Sequence, residues 1–361
     1  MSGTSFDGVD VALIETDGDA VVVAGPSGYR PYQDAERRLL RQALTEAAAM
    51  LRDRNDRPGS LAAAEQAVTA AHAEAVTRFL AEHALAPDSI DIVGFHGQTV
   101  LHRPERRLTV QIGDAESLAR AVALPVISDF RAADVAAGGQ GAPLVPVYHR
   151  ALIQAQQLTG PVAVVNIGGV SNITYIDGSE HLIACDTGPG NALIDDFVHR
   201  RLGLPFDEGG RLAAQGTADA QWLAASLRLP FFSAPPPKSL DRNDFAALAL
   251  GDAVSVADGA ATLTAFTAAA IARIVPLLPK APSAWIVVGG GARNPTLLDM
   301  LQDQFAPARV VTGDSLGWSS DAVEAQAFAY LAVRALRGLP LSYPTTTGVP
   351  EPMPGGVLSR P

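Results

Sequence analysis

Cysteine and lysine are the scarcest chemical resources of this 361-residue chain. Cys185 is the sole cysteine, so no intrachain disulfide can form and no site that needs several thiolates can be assembled. A reducing cytoplasm is the compartment expected. The only lysines are Lys238 and Lys280, and neither stands in a G-x-x-x-x-G-K-[ST] string, which excludes a Walker-type ATPase. Positive charge is short overall, with 27 Lys and Arg against 38 Asp and Glu and a formal net charge of −11. A nucleic-acid groove and an anionic membrane surface both need clustered cations, so neither is an expected partner; a local basic pocket for a small anion stays open. The N-terminal MSGTSFDGVD has no basic stretch leading into an apolar one, and no uninterrupted apolar run is read as membrane-spanning. The remainder, 48% hydrophobic and 18% charged, is globular material sufficient for a large core and two domains.

Glycine, by contrast, is placed with purpose. A strand-like PVAVV runs into Asn166-Ile-Gly-Gly, and the turn D-T-G-P-G-N follows at 186–191, ahead of the helix-like ALIDDFVHRRL. Consecutive glycines let backbone N–H groups form an anion-binding concavity, and a helix start adds the positive end of its dipole. The pattern is that of phosphate handling, with Asp186 aimed at the ligand.

The second half reads as three short strands, VAVVNI, NITYI and LIACD, then a helix. Next come Ala-rich helical sequence, a strand at 284–288 entering Gly289-Gly290-Gly291, a helix start at Asn294-Pro295, a strand at 308–312 and a helix at 321–336. The first half repeats the order. A turn at Gly3–Gly8 precedes strands VDVALIET and DAVVVAG, helices at 34–51 and 61–84, a strand into glycine at 90–99 and a closing strand at 124–130. Two copies of one β-β-β-α-β-α-β-α plan are expected, with glycine-rich turns open to a ligand between them. The copies differ in that only Met1 and Ser2 precede the first turn of the first half, where the second half has a strand. Either Met1 is an internal methionine of a longer natural chain, which is the favoured expectation, or the protein lacks the first strand of its first sheet.

In order, the motifs are M-S-G-T-S-x-D-G-V-D at 1–10, G-F-H-G-Q-T at 94–99, S-D-F-R at 128–131, G-G-Q-G-A-P-L at 138–144 and N-I-G-G-x-x-N-I at 166–173. They continue with D-T-G-P-G-N at 186–191, P-P-K-S at 236–239, G-G-G-x-x-N at 289–294 and E-A-x-A-F-A at 324–329. Over essentially the whole chain this set resembles the anhydro-N-acetylmuramic acid kinases, a family within the sugar kinase, heat-shock ATPase and actin superfamily. The resemblance implies an α/β fold of two duplicated actin/hexokinase-like (ribonuclease H-like) domains around a central nucleotide and sugar cleft. The domains would be 1–130, lacking its first strand, and 131–361, whose C-terminal helix and tail pack back at the domain interface. It further implies a cytoplasmic homodimer that uses ATP and Mg2+ to open 1,6-anhydro-N-acetylmuramic acid with water. Phosphorylation in the same reaction turns that anhydrosugar, a product of cell-wall recycling, into N-acetylmuramic acid 6-phosphate.

On that resemblance Asp186 is the general base that deprotonates the water, although a turn residue capping the next helix is the alternative. Gly3, Thr4, Ser5, Phe6, Asp7, Gly8, Val9 and Asp10 form the first nucleotide loop, with Asp7 or Asp10 placing Mg2+ through water; a plain hairpin turn is the competing reading. Asn166, Gly168, Gly169 and Asn172 form the facing loop, and Gly289, Gly290, Gly291 and Asn294 the wall against the adenosine. His96, Gln98, Arg131, Gly188, Pro189, Asn191 and Glu324 are the substrate candidates. Arg131 suits the lactyl carboxylate, which a guanidinium binds bidentately, against the alternative of an ion pair. Lys238 either reaches a ligand or is solvated.

Three rival readings compete. An aspartic protease is suggested by the literal D-T-G at 186–188, but the chain has no second D-[TS]-G and alternates helices with strands. An ATP- or sugar-binding sensor would keep the fold without the chemistry, whereas the acid is in place here. A kinase of another anhydrosugar, such as levoglucosan, would share the loops and the base.

Overall fold

A computed structural model describes residues 1–361 except Thr4, Leu51, Arg52, Ser179, Glu180, Asp241, Arg242, Asn243, Ala249, Asp252 and Asp321. The chain divides into two compact units, Met1–Gln156 with Ala322–Pro361, and Gln157–Asp321. The boundary expected at 130/131 therefore lies inside the first unit, to which the C-terminal helix and tail also belong. Packing decides this, because that helix lies on the first and third strands of the chain.

The first unit opens with β1 (Gly8–Thr16) and β2 (Val22–Pro31), an antiparallel pair with a bulge between Ala12 and Ile14. Helices α1 (Asp34–Ala47) and α2 (Leu61–Glu82) follow. Gln33 and Glu36 form a capping box that fixes the start of α1, which ends at Ala47; the expected extension to 51 includes Leu51, outside the described residues. Strand β3 (Val93–Gly94) is parallel to β6 (Val126–Ser128), and β4 (Gln98–Arg103) with β5 (Leu108–Ile112) makes a separate hairpin that the sequence reading did not anticipate. Between β5 and β6 runs α3 (Ala115–Val122), capped by Asp114, whose carboxylate accepts from the N–H groups of Glu116 and Ser117. Helices α4 (Ala132–Ala136) and α5 (Pro146–Ala155) complete this part.

The second unit holds a five-stranded sheet. Strands β7 (Val162–Ile167), β8 (Val170–Asp177) and β9 (His181–Pro189) form the antiparallel meander, and α6 (Ala192–Leu202) follows. Then come α7 (Ala220–Ser226), α8 (Val256–Ala272), β10 (Ala284–Val288), α9 (Pro295–Phe305) and β11 (Arg309–Thr312). The sheet order is β11-β10-β7-β8-β9, with β10 parallel to both β7 and β11. This realises the strand plan read from the second half. Val256–Leu277 is long and apolar enough to cross a membrane by length and composition, although Asp258 and Arg273 interrupt it, so it is not the uninterrupted apolar run that the sequence was read to lack. It is α8 and the turn after it, a core helix packed on α6, α9 and β9.

The chain returns to the first unit with α10 (Val323–Leu336) and β12 (Val357–Ser359), an unanticipated edge strand antiparallel to β6. The expected start of that helix at 321 falls on Asp321, outside the described residues. The first unit departs from the plan in its sheets as well. Its strands fall into three sheets, β1-β2, β12-β6-β3 and β4-β5, and β1 and β3 do not pair.

Candidate active site

Within the second unit the register brings Asn166, Asn172 and Asp186 into one row. Asn166 on β7 pairs with Asn172 on β8, and Asn172 pairs with Asp186 on β9, past a bulge at Ser171/Asn172. Directly paired residues share a sheet face, so three polar side chains lie abreast at the carboxyl ends of β7, β9 and β10, where ligands of α/β sheets are bound. The glycine loops are stitched to this end. The N–H groups of Gly190 and Asn191 donate to the carbonyls of Gly169 (2.9 Å) and Gly168 (2.7 Å), and Asn191 Nδ2 donates to Ile167 O (3.2 Å). A Cβ at Gly190 would stand 2.3 Å from Gly168 O, and one at Gly289, whose φ is +76°, 2.3 Å from Asn166 Oδ1. Only glycine permits these approaches. Gly290 and Gly291 continue the wall, Gly291 against the Ile167 side chain. Gly188 and Pro189 are buried in the β9 ladder and set the path of the turn. Asn294 is committed to capping α9, its Oδ1 accepting from Leu297 N–H (3.0 Å).

Asp186 does not cap α6; the row and a neighbouring turn hold it instead. Its N–H donates to Lys238 O (2.9 Å) and its Oδ2 accepts from Leu240 N–H (2.7 Å). Burial raises its pKa from 3.8 to about 6, against the opposing effect of the Leu240 bond. The turn at 236–240 is fixed in its turn by Lys238, whose Nζ donates to Phe231 O (2.8 Å) and lies 4.5 Å from the Phe231 ring centroid. Sequence reading had no signal for this support, because some fifty residues separate the partners.

In the first unit Ser5 Oγ (2.8 Å) and Gly8 N–H (2.9 Å) both donate to Asp7 Oδ1, closing the Gly3–Gly8 turn with Asp7 exposed. Phe6, at φ +56°, and Val9 are buried in the core, so they anchor the loop from beneath. Thr4 lies outside the described residues. Gln98 is fully buried, accepts from Ser2 Oγ and donates to Gly3 O (3.1 Å); its side chain holds the loop. Arg131 Nε donates to His96 Nε2 (3.1 Å) and Nη1 to Gly141 O (2.7 Å). His96 Nδ1–H donates to Gly97 O (2.9 Å), which fixes the tautomer that leaves Nε2 to accept. Burial, then the Arg131 charge, holds His96 well below its ordinary pKa, and burial brings Arg131 down to about 10, still cationic at neutral pH. Phe328 supports both, with its centroid 4.5 Å from His96 and 5.7 Å from the Arg131 guanidinium carbon. Glu324, exposed in the first turn of α10, acts on the Arg131 charge. Asp134, missed in the sequence, is 2% exposed and accepts from Gly141 N–H (2.6 Å), Thr347 Oγ1 (2.6 Å) and Ser342 Oγ.

The profile of the family described as anhydro-N-acetylmuramic acid kinase matches residues 1–359. The chain belongs to the anhydro-N-acetylmuramic acid kinase family. Proteins named anhydro-N-acetylmuramic acid kinase from Bradyrhizobium diazoefficiens and Rhodopseudomonas palustris (strain BisB18) are 69% and 70% identical to it over 361 residues, spanning 100% of this chain and 98% of each relative. Among solved structures it is similar to a ROK family glucokinase from Streptomyces griseus in complex with glucose and AMPPNP. That likeness has 16% identity and a TM-score of 0.40 over 88% of this chain and 95% of that one.

The described site residues of this family member thus form two groups, one in each unit. Among the described residues no cluster of three or more His, Cys, Asp or Glu could hold a metal ion. An exposed carboxylate such as Asp7 fits Mg2+, which takes one or two protein carboxylates and completes its shell with water and phosphate oxygens.

Proposed function

We propose that this chain converts 1,6-anhydro-N-acetylmuramic acid, ATP and water into N-acetylmuramic acid 6-phosphate and ADP, a step of peptidoglycan recycling, with Asp186 as the general base. The carrying observation is the Asp186 carboxylate, half-buried, held through one oxygen by Leu240 N–H and poised by burial at about 6. Such a group is ionised at neutral pH yet basic enough to take a proton. The carboxylate removes a proton from water as its oxygen bonds to the anomeric carbon. The bond from that carbon to O6 breaks, and O6 takes the γ-phosphoryl group, leaving ADP.

Asn166 and Asn172, abreast of Asp186, are suited to orient the water or the sugar. The Gly168 N–H is spent on Val170 O (3.2 Å), so the starts of α6 and α9, which favour negative charge, are what supports phosphate binding there. Arg131, half-buried and cationic, is the residue proposed for the lactyl carboxylate, with His96 and Gly141 fixing its plane. The Gly3–Gly8 turn is proposed as a second phosphate loop, with Asp7 and Asp10 holding Mg2+, whose charge would offset that of the phosphates when bound. Asp10 and Glu324 remain proposals on the motif alone. A cytoplasmic homodimer is proposed likewise; sedimentation equilibrium tests its mass.

The test is a mass-resolved assay in 18O-labelled water with Mg-ATP. A product that carries one phosphate and one heavy oxygen at the anomeric carbon is expected. Phosphorylation without label, or turnover of levoglucosan in preference, would overturn the proposal.

A further inference from the structure

A side-chain charge normally leaves water only together with a counter-charge. Arg334 of α10, in the first unit, departs from that rule. It is 3% exposed, and its guanidinium donates to neutral oxygens alone: Nε to Pro340 O (2.8 Å), Nη1 to Gly18 O (2.7 Å) and, at 3.4 Å each, Nη1 to the Tyr330 hydroxyl and Nη2 to the Tyr343 hydroxyl. A second guanidinium reaches the same phenol. Arg150 of α5 donates from Nη2 to the Tyr343 hydroxyl, also at 3.4 Å, and its guanidinium carbon stands 5.5 Å from the centroid of that ring. This is its one hydrogen bond among the described residues. Two like charges thus converge on one neutral hydroxyl, and no described carboxylate bonds to either. The acids that flank Gly18 do not fill the gap. Asp17 spends its carboxylate on the N–H groups of Asp19 and Val21, both at 2.9 Å, and Asp19 is exposed. Burial raises the Tyr330 pKa, and the charges of Arg334 and Arg150 oppose that rise while the Asp19 charge adds to it, so both cations are felt at one place.

The donors at this point are also underused. A charge-assisted N–H bond to an oxyanion closes to about 2.7–2.9 Å, so two contacts at 3.4 Å leave both guanidiniums weakly engaged. The Tyr343 hydroxyl accepts in both, and its own hydrogen has no acceptor among the described residues. Arg150 and Tyr343 are half-buried, which leaves the point open to solvent on their side. We infer that Arg150, Arg334 and Tyr343 form an oxyanion site, apart from the glycine loops, that takes a phosphate group, either inorganic phosphate or a phosphomonoester. A tetrahedral group offers one oxygen to each of the three donors, and the charge of a monoester, about −1.5 to −2 at neutral pH, matches two guanidiniums. A carboxylate, with two oxygens and a single charge, leaves one cation uncompensated. Occupancy ties α5 and α10 to the C-terminal tail. Tyr343 N–H donates to Thr346 Oγ1 (3.0 Å), and Tyr343 O accepts from the N–H groups of Thr346 (2.9 Å) and Thr347 (3.1 Å), whose hydroxyl in turn reaches Asp134.

The test follows the thermal midpoint of the full chain in sodium phosphate, against sodium chloride at matched ionic strength, for the unsubstituted chain, Arg150→Met and Tyr343→Phe. Methionine keeps the apolar stem over the Tyr343 ring, and phenylalanine keeps the ring while losing the hydroxyl, so both variants preserve the packing. Phosphate held by the glycine loops is common to all three chains and cancels in the comparison. A saturable rise of several degrees, nearly complete by about 10 mM phosphate and absent with chloride, is expected for the unsubstituted chain. Each variant is expected to keep less than about half of it. Repeating the titration with glycerol 3-phosphate tells the two sources apart: a larger rise than with inorganic phosphate assigns the site to a monoester, and a smaller one to the free ion. A rise that chloride reproduces, or one that either variant leaves intact, would overturn the inference.

Discussion

Asp186 shows how two opposed effects set one acid. Burial disfavours its charge and raises its pKa to about 6, while the Leu240 N–H bond favours the charge and limits the rise. With Asp186 as the proposed base the active form is the ionised one, so kcat/KM is expected to climb as pH rises through about 6 and to level off above it. Asp186→Asn keeps the shape and the Leu240 contact but cannot take a proton. Turnover is expected to fall by about a thousandfold or more, with nucleotide affinity unchanged by equilibrium dialysis. Lys238 acts one step away, through the turn that carries Leu240. Lys238→Met retains the stem over Phe231 and loses the bond to Phe231 O. With the Leu240 bond loosened, the acid limb is expected to move to higher pH and kcat to drop about tenfold. An unchanged pH profile would mean that Lys238 does not position the base. Arg131→Ala is expected to raise KM for the sugar by about 1.5 to 3 kcal/mol worth of affinity, or more than tenfold, with KM for ATP little changed.

At the scale of elements, Asp134 joins three segments that the sequence keeps apart. From α4 it receives the N–H of Gly141 and the hydroxyls of Ser342 and Thr347 in the C-terminal tail. Asp134→Ala removes a buried acceptor and strands its donors, at a cost of about 3 kcal/mol measurable by urea melting. Because Gly141 O also receives Arg131, KM for the sugar is expected to rise in parallel; Asp134→Asn, which keeps one acceptor, is expected to lose less on both measures. The sequence made the glycine loops and Asp186 legible, since such turns have few solutions. It could not show that Asn166, Asn172 and Asp186 stand abreast, because that depends on the register of a bulged hairpin. Nor could it show that Gln98 and Asn294 have their side chains spent on the first loop and a helix cap. The hairpin β4-β5 escaped for a local reason: QTVLHR and LTVQI mix polar and apolar residues without a clean alternation.

For the whole molecule the dominant electrostatic fact is the net charge of −11. Both proposed substrates are anions, the sugar through its lactyl carboxylate and ATP through its phosphates. The global field therefore opposes their approach, and in the proposed site the attraction comes from short-range features such as Arg131 and the helix starts. The Debye length falls from about 30 Å at 0.01 M to about 8 Å at physiological ionic strength. Salt should then screen the distant acidic surface while leaving buried contacts within a few ångströms nearly intact. The expected outcome is a rise of kcat/KM for the sugar, by about twofold to fivefold, between 10 and 150 mM salt at fixed free Mg2+. This is the opposite sign to that of an electrostatically steered enzyme. A fall over the same range would show that a concentrated positive field at the site outweighs the acidic surface, and Arg131→Ala would then be expected to flatten the dependence.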